Sequence, residues 1–148
     1  MNANTIADFF IYYSHNSGDL ITNLKLQKLV YYAQAWHLSL NDTELFSEEI
    51  EAWVHGPVIP SVYQKYRKYT YNPIPEQSAK PELSVDMAKF LIGVYNIYGK
   101  YTAYQLELMT HQEEPWEQAQ NYLHPGEYSN EIIPKEEMKR FYSNLINE

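Results

Sequence analysis

A mainly α fold is predicted: a compact multi-helix single domain around one buried central helix, with at most a short β pairing. Three observations predict it. Apolar residues recur at helical spacing over several stretches, the longest between Thr22 and Leu40. Most of these stretches open on a capping residue or a proline and close near a glycine or asparagine. The length of 148 residues, with 45% hydrophobic and 20% charged, suits one domain with a real core, taken as residues 1–148.

The elements follow in order. Thr5 with Asp8 reads as a capping box opening a helix through Ile6, Phe9, Phe10 and Tyr13, ended by His15 to Gly18. From an N-cap at Thr22, Leu26, Leu29, Val30, Ala33, Trp36, His37 and Leu40 share one arc. Leu24, Tyr31, Ala35 and Leu38 make a second arc, interrupted only by Lys25, Lys28, Ser39, Gln27 and Gln34. A helix apolar on two sides belongs at the centre, and Asn41-Asp42 breaks it. Phe46 to Val54 alternates weakly, as a short edge strand or an extended arm.

Pro60 suits the first position of a helix to about Tyr69, whose cations Lys65, Arg67 and Lys68 sit at the favourable end of its dipole. Tyr71 to Pro81, with three prolines, reads as a surface loop within one domain. Ser84 caps a helix through Val85, Ala88, Ile92 and Tyr95 that stops at Gly99. Thr102 to Gln105 is a capping box for the next, containing Leu106 and Met109. Pro115 opens a short turn with Trp116 and Ala119, and Gly126 is placed in a loop. Pro134 starts a last helix with Met138, Phe141, Leu145 and a Glu136–Arg140 pair.

Composition removes several function classes. The chain has no cysteine, so disulfides, thiolate metal sites and cysteine nucleophiles are absent. That points to a reducing cytoplasm, as does a start without a positive leader, and no apolar run is long enough to span a membrane. Net charge is −8, which supplies no general footprint for nucleic acid but suits a basic protein partner. The 15 tyrosines cannot all face one core, so some line the surface.

No chemistry assembles in the linear sequence. Histidines 15, 37, 55, 111 and 124 show no metal-ligand spacing. His37 reads as a satisfied near-core residue, His55 as a structural hydrogen-bonding group, and His111 as a favourable helix-end residue. No metal, cofactor or catalytic residue is expected, and the chain is not read as an enzyme. Tyr63 to Tyr69 interleaves aromatics with cations, as a nucleic-acid stacking surface does, but also as an amphipathic helix with a solvated basic end does.

The corner Trp53-Val54-His55-Gly56-Pro57-Val58-Ile59-Pro60, followed by Tyr63, is conformationally restricted by its two prolines. It is either an elbow between packed elements or a recognition surface. The expected partner-binding group is Trp53, His55, Pro57, Tyr63, Tyr66 and Arg67, with Trp36 and Trp116 read as core.

Three ordered motifs resemble the SocA-like Panacea antitoxin domain, the group of phage-associated GepA-like proteins. They are Leu24 to His37, Ile50 to Tyr63, and Thr110-His111-Gln112-Glu113-Glu114-Pro115-Trp116, with Ile132 and Ile133 before the last helix. The resemblance covers about residues 5–145. Its scaffold positions here are Leu26, Lys28, Leu29, Tyr32, Trp36, Gly56, Pro57, His111, Pro115 and Trp116. It implies a cytoplasmic antitoxin that neutralises a co-encoded toxin by direct binding. Alternatives are an adaptor delivering a toxin to the ClpXP protease and, less favoured, a nucleic-acid regulator or metal-dependent hydrolase. Surface acids would steer a basic toxin. No appended helix-turn-helix or zinc module is read in the sequence, a departure that puts the DNA-binding autoregulation of some antitoxins in doubt here.

Overall fold

The computed structural model describes residues 1–75, 79–120 and 130–146. Among these, seven α-helices surround one another with a single two-stranded pairing, so the fold is mainly α. Helix α1 spans Ala3–Asn16 and α2 spans Asn23–Asn41. The hairpin strands are β1, Glu51–Trp53, and β2, Gly56–Val58. Then come α3 (Pro60–Tyr66) with a 3-10 turn at Arg67–Tyr69, α4 (Val85–Tyr98), α5 (Ala103–His111), α6 (Glu114–Gln120) and α7 (Lys135–Ile146).

Helix α2 is the axis: α1, α3, α4, α5, α7 and β2 all touch it. Thr22 caps it through the Lys25 amide at 3.2 Å, and Asp42 ends it in the left-handed region, as the sequence implies. Three of the five polar residues that interrupt its apolar arcs are not solvated. Gln27, Lys28 and Gln34 are buried, and the two glutamines hold the surrounding chain. The Gln34 side chain donates to the Phe46 carbonyl and accepts from the Leu45 amide, both at 2.7 Å. Gln27 accepts from the Ile59 amide at 2.9 Å and donates to Asn23 at 2.8 Å. These bonds satisfy backbone groups of loops that have no ladder of their own.

Several local expectations are corrected. Asn2, not Thr5, caps α1, accepting from the Thr5 amide at 2.9 Å. Asp8 instead reaches across to Lys65 and Tyr66. Leu40 lies outside the core at 58% exposure, and Leu145 is also exposed; each sits in the last turn of its helix. Arg140 bonds Glu137 and Glu114 rather than Glu136, since α6 brings Glu114 within reach. The helix after Pro60 tightens to a 3-10 turn at Arg67.

The capping box at Thr102 is complete, and Ser84 caps α4. Gly126 and His124 lie outside the described residues. Tyrosines divide as composition requires: Tyr31, Tyr32, Tyr66 and Tyr142 are buried, whereas Tyr71 and Tyr104 are exposed.

Candidate functional site

The Gly-Pro corner is the second strand of a hairpin. Glu51 opposes Val58, Ala52 opposes Pro57 and Trp53 opposes Gly56, leaving Val54 and His55 as the turn. Pro57 is tolerated because so short a strand asks little of its missing amide. Helix α6 clamps the hairpin from outside: Trp116 Nε1 donates to the Trp53 carbonyl and Gln120 Nε2 to the Ala52 carbonyl, both at 2.8 Å. Residue 131 extends the pairing on the other edge, its carbonyl accepting from the Ala52 amide at 2.8 Å. The His111 ring stacks on Trp116 with centroids 3.9 Å apart.

Beneath the hairpin lies Lys28, fully buried on α2. Its Nζ has no hydrogen-bond partner among the described residues. Burial pushes the amine down to about 7, against the opposing pull of the Glu107 charge. His111 Nε2 is likewise buried without a partner. Desolvation lowers its pKa foremost; the charges of Lys28 and His55 act in the same direction, and Glu107 and the Val54 backbone oppose. At the mouth, His55 Nδ1 stands 3.0 Å from Glu107 Oε1, with the His55 side chain 70% exposed and that of Glu107 15%. Thr110 Oγ1 closes the floor, donating to the Glu107 carbonyl at 2.9 Å.

All three ordered motifs therefore meet at one place: Lys28 from the first, Gly56 from the second, and Thr110, His111 and Trp116 from the third. A second meeting point lies deeper, around Glu113. Its carboxylate accepts from Tyr32 at 2.7 Å and Tyr142 at 2.9 Å. Desolvation raises its pKa despite these two bonds. Tyr32 stacks on Tyr98 at 3.9 Å, and Trp36 Nε1 donates to the Tyr98 hydroxyl at 2.7 Å.

The expected partner-binding residues divide. His55 and Arg67 are exposed, and Trp53 and Tyr63 are half-buried, edge to face at 4.9 Å. Pro57 and Tyr66 are buried, which corrects their reading as surface groups. Tyr66 points inward because its hydroxyl donates to Asp8 at 2.6 Å. With Lys65 also paired to Asp8, the alternating aromatic and basic run does not form one continuous stacking face.

Of the scaffold residues, Leu26, Lys28, Leu29, Tyr32, Gly56, Pro57 and Pro115 are buried, while Trp36, His111 and Trp116 are half-buried against the core. Sequence reasoning missed Glu107 and Tyr142, which stand outside every motif, and Glu113, which lay inside one without an assigned role. A separate apolar groove of about 320 Å³ runs between α2 and α4, lined by Trp36, Leu40, Phe90, Gly93 and Ile97 among others.

His37 hydrogen-bonds the Thr43 carbonyl at 2.7 Å, away from the hairpin. Among the described residues no group of three or more His, Asp or Glu side chains has the arrangement of a metal site, and no helix is long and apolar enough to cross a membrane. The family model described as antitoxin SocA-like, Panacea domain, matches residues 26–117, a span that runs from α2 through the hairpin to α6. No curated protein and no solved structure matches the chain. The matched span contains Lys28, Gly56, His111 and Trp116 and covers more than half of the sequence, and on that ground the chain belongs to the SocA-like antitoxin family, as a Panacea-domain protein.

Proposed function

We propose that this protein is an antitoxin that neutralises a co-encoded toxin by direct protein–protein binding. The family match over residues 26–117 carries this reading. The hairpin corner supports it as the contact surface. Trp53 offers half-exposed aromatic area on a backbone held by α6, Tyr63 meets it edge to face from α3, and His55 and Arg67 beside them in sequence are exposed. Rigid aromatic groups beside a charged rim are what interface hot spots are made of. The chain's charge of −8 favours a basic toxin by steering its approach. The role is binding rather than catalysis, in one domain across residues 1–148, and a buried cluster running from Ala3 to Tyr142 supports that span.

Co-expression with the product of the adjacent open reading frame tests the reading. The neighbour is expected to arrest growth alone, to be tolerated with this chain, and to co-purify with it. A harmless neighbour, or one that stays toxic and separates, overturns the proposal. An unchanged toxin half-life in the rescued cells fits blocking, whereas a half-life shortened only when ClpXP is present replaces blocking with delivery.

A further inference from the structure

We propose that α4 is a self-association surface. Two copies of this chain pair antiparallel about a twofold axis at Gly93, and each lends Ile97 to the α2–α4 groove of the other.

Gly93 sets the axis. It lies inside α4, where glycine destabilises a helix relative to alanine. Its φ is not positive, and a Cβ there would meet nothing within 4 Å. No turn or close contact among the described residues therefore requires glycine. Its small size instead leaves the wall of the groove open to close approach by another backbone. Apolar surface lies bare beside it, with Leu40 and Ile97 both exposed.

Charge selects the occupant. Asp86 and Lys100 each stand seven positions from Gly93, so both fall on its face at 3.6 residues per turn. Gly99, just past the last helical residue, keeps helical dihedrals, and the spiral runs on to Lys100. In an antiparallel pair, residues equally far before and after the axis stand level. Asp86 of each copy thus faces Lys100 of the other, in two pairs, each about 10 Å along the helix from the axis. Ile97 stands level with Lys89, which lines the receiving groove together with Phe90. A parallel pair would set Asp86 against Asp86 and Lys100 against Lys100.

Asp86, Lys89 and Lys100 are exposed, and among the described residues they make no ion pair within the chain. The face is complementary to itself, as an isologous twofold contact has to be. It also lacks the acidity of the whole, since two lysines outweigh one aspartate. The net charge of −8 then opposes pairing only at long range, where 0.15 M salt screens it beyond about 8 Å.

Sedimentation equilibrium at 0.15 M sodium chloride tests the pairing. The wild-type chain is expected to show a reversible equilibrium between the 17.5 kDa chain and twice that mass. Gly93→Leu, which fills the axis, is expected to raise the dissociation constant about tenfold or more. Asp86→Lys and Lys100→Asp each set like charges opposite one another twice, and each should weaken pairing about tenfold. Mixed in equal amounts the two regain it, because one chain then offers two lysines to the two aspartates of the other. Circular dichroism checks that every variant folds.

A wild-type chain that stays monomeric up to about 1 mM overturns the proposal. So does a dimer that Gly93→Leu leaves untouched, which places the contact elsewhere. Charge variants that pair as well alone as mixed overturn the antiparallel register. A monomeric chain that loses its toxin through Gly93→Leu gives the groove to the toxin instead of a second copy.

Discussion

The backbone of Gly56 lies against the side chain of Lys28 so closely that a Cβ at residue 56 would stand 2.8 Å from Lys28 Cε. Gly56 also has φ of +116°, a conformation L side chains rarely adopt. Two separate reasons thus require glycine where the hairpin crosses α2. Gly56→Ala is expected to destabilise the fold by roughly 1–3 kcal/mol or more, read as a lower urea midpoint at unchanged slope. In a cycle with Lys28→Ala, which removes the contact, part of that loss returns and the backbone part remains. Simple additivity would show that the two residues do not press on one another.

Lys28 itself should cost stability. Its folded pKa of about 7 lies below the ordinary lysine value of 10.5, so between these pH values the unfolded chain holds the extra proton. Stability from this group therefore rises with pH across that window, and the destabilisation is complete below it. Lys28→Met, similar in volume and uncharged, is expected to be more stable at pH 7 by on the order of a few kcal/mol. Thermal melts of the two proteins should converge as pH rises toward 9.5. A constant difference, or a less stable variant at pH 7, contradicts a buried amine without a partner.

Glu113 gives a contrasting case. Glu113→Gln keeps an acceptor for the Tyr32 and Tyr142 hydroxyls and removes a desolvated charge, so stability at neutral pH should be retained or raised. Glu113→Ala leaves Tyr32 without its acceptor, at a cost of about 1–3 kcal/mol. Since burial raises the Glu113 pKa, wild-type stability from this group grows as pH falls through that raised value toward the ordinary carboxylate range, where the folded chain holds the extra proton, and Glu113→Gln lacks this slope. Paired urea titrations at pH 5 and 7 measure both effects.

At the surface, Trp53→Ala and His55→Ala are expected to weaken toxin binding, the first by about tenfold or more as an aromatic anchor. Tyr66→Phe, which removes the part-buried bond to Asp8, should lower stability and leave affinity in place. Ile97→Lys, in the groove between α2 and α4, should also leave neutralisation intact. Rescue assays with each variant, checked for folding by circular dichroism, separate the two faces. Loss of rescue with Ile97→Lys alone would move the interface to the groove.

Helix existence was legible because periodicity and capping are local: Thr22, Ser84 and the Thr102–Gln105 box needed no tertiary information. The first N-cap was not, since Asn2 and Thr5 both suit the role and only Asp8's bonds to Lys65 and Tyr66 break the tie. The ordered motifs identified the family, yet the part each residue plays stayed hidden in them. Lys28 and Gln34 look like ordinary solvated helix residues in sequence, because burial depends on what covers a helix rather than on its own pattern.

The sequence by itself determined a cysteine-free, acidic, mainly helical chain with a restricted Gly-Pro corner and a family signature. Only the tertiary structure decided that the corner is a hairpin seated on a buried lysine, that Tyr66 turns inward, and that Glu107 and Glu113 join residues far apart in the chain. Local backbone preferences act over a few residues and are written in order along the chain. Desolvation, unpaired donors and charge proximity arise between segments, and exist only once those segments are brought together.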